Sequence, residues 1–224
     1  MPTRPLLLGH RGSRGETSIP ENTLASFDRT LAHGCDGFEF DVRRSADGQP
    51  VICHDAMIHS VRIAETSSAK LALPKLEDVL KRYQETAFLD IELKEEGLET
   101  ITRDLLRSDL LARGYVVSSF LPGVLQAVHD LDASIPLGLI CETRKQLDLW
   151  SELPLQYVIP HHKLVRQKLI RDMHDAGRRV LAWTVNSPQD IHRFADWGVD
   201  GIVSDYPQRL VHVLGRELNL GIHE

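Results

Sequence analysis

A chain of 224 residues, 42% of them hydrophobic, can bury one sizeable core and lies near the lower limit of an eight-stranded α/β barrel. Its formal charge of −6 leaves no electrostatic footprint for nucleic acid or an anionic membrane, so a phosphate-bearing ligand requires positive charge gathered locally. No stretch approaches the ~20 apolar residues of a membrane span, which speaks against stable membrane insertion.

Strand 6–9 is the first expected element, and a helical pattern at 21–32, stopped by Gly34, leads to strand 37–42. The extended run 49–54 follows too soon for a parallel crossover, which takes ~10 or more residues, and therefore predicts an antiparallel hairpin. Asp47-Gly48 reads as its two-residue turn, pairing Ala46 with Gln49 and Asp41 with His54. An irregular stretch, 56–73, suits a lid or rim loop. Helix 75–83, strand 87–93, helix 97–112 and strand 115–118 come next, then helix 122–131, strand 137–141 and helix 143–150. Strand 156–159, helix 165–176, strand 179–184, helix 188–197, strand 201–204 and helix 207–214 complete the order. Asn186-Ser187-Pro188 and Asp205-Tyr206-Pro207 read as polar caps ahead of a proline in the first helical turn, and Gly114, Gly177 and Gly198 as stops. This alternation predicts a closed (β/α)8 barrel, with an open doubly wound sheet as the alternative.

Residues 1–8 hold only three consecutive leucines, too short a run for a secretory signal, and the expectation is a cytoplasmic protein with one domain over residues 1–224. Cys35, Cys53 and Cys141 have no paired spacing, so buried thiols are expected and neither a disulfide framework nor a zinc site.

The C-terminal ends of barrel strands carry the chemistry of such folds, and here those ends are rich in titratable groups. Glu39 and Asp41 are two apart on a strand and share its inward face, while Phe38, Phe40 and Val42 turn toward the helices. Asp90, Glu92 and Lys94 repeat the pattern. Inward carboxylates need a cation, a shared proton or a basic partner. Glu92 with Glu39 and Asp41 makes an oxygen set suited to Mg²⁺ or Ca²⁺, whereas ion pairing with Arg11, Arg43 or Lys94 is the structural alternative. Asp90 lies deeper and is expected to pair with Lys94 or another buried base. His10 and His54 sit next to these carboxylates and can exchange protons near neutral pH. The nine other histidines, from His33 to His223, read as structural or surface groups. Arg11 and Lys94 bring positive charge to the same corner, which makes phosphoryl chemistry the leading reaction class.

Gly9-His10-Arg11-Gly12, Pro20-Glu21-Asn22-Thr23, Glu39-Phe40-Asp41-Val42, His54-Asp55, Ile91-Glu92-Leu93-Lys94, Trp183-Thr184-Val185-Asn186 and Ser204-Asp205-Tyr206-Pro207 follow one another along nearly the whole chain. In this they resemble the glycerophosphodiester phosphodiesterases. The resemblance implies a TIM barrel that hydrolyses glycerophosphodiesters to sn-glycerol 3-phosphate and an alcohol with one divalent cation. It implies Glu39, Asp41 and Glu92 as metal ligands, His10 and His54 as general acid and base, and Arg11 and Lys94 as phosphate contacts. Glu21 and Asn22 match a motif at the mouth of the site, and Trp183 a residue near the glycerol or leaving group. After His54-Asp55 the sequence departs from many relatives, with a reduced capping insertion that opens the site to bulkier alcohols or lysophospholipids. A lysophospholipase D or sphingomyelinase D type of activity is the nearest rival, and a noncatalytic barrel for phosphate-bearing ligands a more distant one.

Overall fold

The structure, a computed structural model, describes residues 4–108 and 111–215. Asp109 and Leu110 of the expected helix 97–112 lie outside the described residues, as do His223 and the rest of 1–3 and 216–224.

In chain order the strands are β1 Leu6–His10, β2 Gly37–Arg44, β3 Pro50–Ile52, β4 Met57–Ile58, β5 Val61–Arg62, β6 Phe88–Leu93, β7 Tyr115–Ser119, β8 Leu137–Cys141, β9 Tyr157–Pro160, β10 Arg179–Ala182 and β11 Gly201–Ser204. The helices are α1 Leu24–Ala32, α2 Ser68–Leu71, α3 Leu76–Tyr83, α4 Glu99–Ser108, α5 Pro122–Leu131, α6 Arg144–Leu147, α7 Gln167–Asp175, α8 Pro188–Trp197 and α9 Pro207–Val213. Strands β1, β2 and β6 to β11 pair in parallel with their sequence neighbours, and β1 pairs with both β2 and β11. Among the described residues this makes a closed barrel of eight parallel strands, with no helix long and apolar enough to cross a membrane.

Alternation along the strands sorts the side chains into two apolar layers. Phe38, Phe40 and Val42 face outward and are wholly buried against the helices, where Phe27 of α1 stacks on Phe38 at 4.2 Å between ring centres and Tyr83 of α3 meets Phe38 edge-on at 4.9 Å. Inside the barrel Leu8, Phe88, Val116, Tyr157, Leu181 and Val203 form a second, smaller cluster. Gly37 makes closure possible, because a Cβ there would come within 1.9 Å of the Phe88 carbonyl oxygen.

Several boundaries differ from expectation. Helix α1 begins at Leu24, not at residue 21, because Thr23 caps it by accepting from the Ser26 amide at 3.2 Å while Asn22 turns into the left-handed region at φ 56°. The pattern at 143–150 divides into a single α-helical turn and a 3₁₀ segment, Asp148–Glu152. Ser187 caps α8 as expected, whereas the residue preceding α9 is Tyr206 and Asp205 points elsewhere.

The hairpin after β2 exists, but its register is one residue away from expectation. Val42 faces Ile52 and Arg44 faces Pro50, and the Cys53 amide donates to the Asp41 carbonyl at 3.0 Å, so Asp41 lies opposite Cys53. The turn holds three residues, Ala46, Asp47 and Gly48, between Ser45 and Gln49, with Gly48 at φ 77°. Asp47 accepts from the Ser45 hydroxyl at 2.6 Å and from the Ser68 amide and hydroxyl at 2.8 and 2.9 Å, which ties the turn to α2. The stretch 56–73 forms the short β4–β5 hairpin, a 3₁₀ turn and α2.

Candidate active site

The barrel register sets the carboxylates side by side at the C-terminal mouth. His10 pairs with Glu39 between β1 and β2, and Glu39 and Asp41 pair with Asp90 and Glu92 on β6. One carboxylate oxygen from each of Glu39, Asp41 and Glu92 falls within 4.8 Å of the others, and all three residues are buried. Burial, with the charges of Asp41 and Glu92, pushes Glu39 well above the ordinary carboxylate range. Burial and then Asp41 bring Glu92 up to about 7. Burial also acts to raise Asp41, but Lys94 and Arg11 outweigh it and hold that carboxyl low.

Of the three basic partners named by the sequence two are present, while Arg43 pairs instead with Glu95 at 3.1 Å. Lys94 Nζ lies 2.7 Å from Glu92 Oε1 and 3.2 Å from Asp41 Oδ1, and Arg11 Nε lies 3.2 Å from Asp41 Oδ2. Glu39 Oε1 nevertheless remains buried without a hydrogen-bond partner, and Asp41 Oδ1 has no hydrogen bond beyond its ion pair with Lys94. Under-satisfied carboxylate oxygens in a hard-donor cluster are what a divalent cation would occupy, so the residues fit such an ion.

Asp90 does not pair with Lys94 as expected. It lies deeper and accepts from the Ser118 hydroxyl of β7 at 2.6 Å, and burial raises it to about 7.

Each imidazole is held by a carboxylate. His10 Nδ1 lies 2.7 Å from Asp205 Oδ1, and His54 Nδ1 lies 2.8 Å from Asp55 Oδ1. Burial tends to raise Asp205, but its bond to His10 keeps it ionised, and the His54 bond likewise lowers Asp55. An ionised carboxylate only accepts, so in both residues Nδ1 carries a proton, and Nε2 is the nitrogen left to exchange one. Burial lowers His10 below its usual value against the pull of Asp205, which keeps it neutral near pH 7.

The chain between β1 and α1 positions Arg11. Arg11 adopts φ 50°, its amide donates to Glu39 Oε2 at 3.0 Å, and its carbonyl accepts from the Asn22 amide at 3.0 Å and the Ser26 hydroxyl at 3.1 Å. A non-glycine residue held there stores strain that the surrounding bonds must sustain. Glu21 accepts from Arg11 at 2.7 Å and from Arg14 at 2.8 Å. Asn22 donates to Asp41 Oδ2 at 2.8 Å and accepts from the Asp41 amide at 3.2 Å.

His10, Arg11, Glu39, His54, Glu92, Lys94 and Trp183 thus meet around one cavity of about 220 Å³. Asp41 lies beneath it at 1% exposure. Glu21 and Asn22 instead border a neighbouring cavity of about 410 Å³ that shares His54 as a wall and continues past Ile52, Met57, Ile58 and Leu73. Trp183 donates to the Ile159 carbonyl at 2.9 Å and packs edge-on to Phe120 at 5.6 Å, closing the far side. Asp205 and Phe120, which belong to motifs of the resemblance but were given no role at the site, and Glu142, which the sequence did not single out, are also site residues. Asp205 follows the end of β11, so the strand-end rule applied to the last strand would have found it.

A closed parallel barrel with carboxylates, imidazoles and basic groups gathered at its C-terminal mouth has the form of an α/β-barrel enzyme. The sequence model of the Glycerophosphoryl diester phosphodiesterase family matches residues 10–87 and 58–209, and the chain belongs to that family, and with it to the hydrolases. A glycerophosphodiester phosphodiesterase of Bacillus altitudinis is 27% identical over 239 residues, covering 92% of this chain and 97% of its own. Among solved structures, one from Silicibacter pomeroyi is 26% identical with a TM-score of 0.86, covering 96% of this chain and 94% of that one. The Oleispira antarctica phosphodiesterase OLEI02445, solved with the product sn-glycerol-3-phosphate, is 26% identical with a TM-score of 0.83, covering 95% and 97%.

Proposed function

We propose that this chain, as a single barrel domain, hydrolyses glycerophosphodiesters to sn-glycerol 3-phosphate and an alcohol. His10 and His54 form the acid–base pair, and Glu39, Asp41 and Glu92 hold one divalent cation, Mg²⁺ or Ca²⁺. The observation that carries this reading is the buried carboxylate cluster facing one cavity with two carboxylate-anchored imidazoles.

When bound, the cation supplies Lewis-acid stabilisation of the charge that develops on the phosphoryl oxygens. Arg11 and Lys94 orient the phosphate, and Nε2 of one neutral imidazole accepts a proton while Nε2 of the other, in its doubly protonated form, donates one to the departing alcohol. Glu21 aligns Arg11, and Asn22 aligns Asp41. Trp183 and Phe120 border the glycerol and keep bulk water from that side.

The test is release of glycerol 3-phosphate from diesters that differ in their alcohol, with and without chelator, for wild type and His54→Ala. Chelator abolishes turnover, added Mg²⁺ or Ca²⁺ restores it, and the substitution lowers kcat/KM at least ~100-fold. Turnover that resists chelator removes the cation from the reading, and an unimpaired variant removes His54. Lysophospholipase D activity at the same site is the second reading, favoured by the apolar walls of the cavity across His54. Release of lysophosphatidic acid from a lysophospholipid in the same assay tests it.

A further inference from the structure

Another cavity stands at the opposite end of the barrel from the catalytic mouth. Its volume is about 480 Å³, and its walls come from the segments that enter the N-terminal ends of β1, β6, β7, β9 and β10. Three guanidinium groups, Arg4, Arg113 and Arg179, line it together with Phe88, Tyr115 and Tyr157. Asp200 is the one carboxylate among the lining residues, and it is already engaged by His174 at 2.8 Å and the Val180 amide at 2.7 Å. Arg179 donates to the Tyr157 hydroxyl at 3.0 Å and stands over that ring, 5.6 Å from its centre. Among the described residues Arg4 and Arg113 have no ion-pair partner, in a chain whose net charge is −6.

Guanidinium groups without ion-pair partners, lining one concave wall together with an aromatic ring, suit an anion that carries a flat apolar body. We propose that this end of the barrel binds a phosphate monoester of an aromatic base, the chemistry of a nucleoside monophosphate. Its phosphate dianion lies between Arg113 and Arg4, and its base lies against the half-buried Tyr115 ring and the Arg179 guanidinium. Phe88, Val116 and Leu181 fill the barrel between this cavity and the carboxylate cluster, so the two sites are separate and occupancy of one does not compete with the other.

Calorimetric titration of the full chain with adenosine monophosphate at low ionic strength, in chelator, tests this independently of the proposed hydrolysis. Saturable binding is expected, tighter than that of inorganic phosphate. Arg113→Glu weakens it at least ~10-fold, as reversal of a charge-assisted contact should, and added salt weakens it further. Arg4→Glu provides a second test by charge reversal, and Lys94→Ala, at the catalytic mouth, leaves the affinity unchanged. Each variant is first matched to wild type in circular dichroism and melting temperature. Absence of saturable binding, equal binding of phosphate and nucleotide, indifference to both arginine substitutions, or loss in Lys94→Ala would each overturn the site.

Discussion

Asp205 changes how His10 is understood. The imidazole was legible in the sequence because it stands at a strand end beside carboxylates, but its partner lies 195 positions away and its sequence context, ahead of Tyr206-Pro207, reads as a helix cap. Glu39, Asp41 and Glu92 were legible because a period of two fixes the facing of every side chain on a strand. Asp205 is reached only when the strand-end rule is applied to the last strand, which closure of the barrel sets beside β1. Asp205 accepts from His10 through Oδ1 and from Asn186 through Oδ2 at 2.6 Å, so both of its oxygens must be acceptors. In Asp205→Asn the new amide group must face one of these donors. Satisfying Asn186 turns the NH₂ toward His10 Nδ1, moves the imidazole proton to Nε2 and removes the lone pair from the cavity side. The expected loss in kcat/KM is at least ~100-fold, with substrate KM changed much less. Loss of the carboxylate that raises the His10 pKa also shifts the His10 limb of the pH–rate profile to lower pH. Unaltered activity and an unmoved profile would remove Asp205 from the positioning of His10.

At the scale of elements, strand and helix order follows the apolar periodicity, and the hairpin shows where periodicity is silent. An Asp-Gly pair satisfies a two-residue turn and the final positions of a three-residue turn equally well, since each places glycine at positive φ. Contacts with Ser45 and Ser68 decide between them, and neither is a feature of the local pattern. The one-residue difference moves His54 beyond the last pairing with β2, where its ring is free to enter the cavity while Arg43 holds its carbonyl at 2.7 Å. Gly48→Ala isolates the conformational requirement of that turn. An added Cβ meets nothing within 4 Å, so the cost is the left-handed backbone alone, ~1 kcal/mol. Urea denaturation should show that loss with an unchanged m-value and near-normal activity. Gly37→Ala behaves differently because the obstacle is the Phe88 backbone itself, and a folded, wild-type-like Gly37→Ala would contradict the close approach that seals β2 to β6.

For the molecule as a whole, the carboxylates at the barrel mouth set a dependence of stability on pH that runs opposite to ordinary acid unfolding. Burial holds Asp90 and Glu92 at about 7, whereas the unfolded chain releases these protons near ~4. Between those values the folded state binds more protons than the unfolded one, so each group erodes stability as pH rises, by up to about 1.4 kcal/mol per pH unit. Carboxylates with lowered values, such as Asp41 and Asp28, act with the other sign and lose their contribution only as pH falls below the usual carboxylate range. The cation-free chain should therefore melt at a lower temperature near pH 7.5 than near pH 5.5. Asp90→Asn retains an acceptor for the Ser118 hydroxyl but carries no proton to lose, so it raises the melting temperature at the higher pH and flattens the slope. Addition of Mg²⁺ or Ca²⁺ stabilises more at pH 7.5 than at 5.5, because the ion must displace protons held by Glu39 and Glu92 at the lower pH. Thermal scans at the two pH values, with chelator and with each ion, measure all three effects. A cation-free melting temperature that rises between pH 5.5 and 7.5, with no response to either ion, would mean that these carboxylates are not the strained anionic cluster on which the cation site depends.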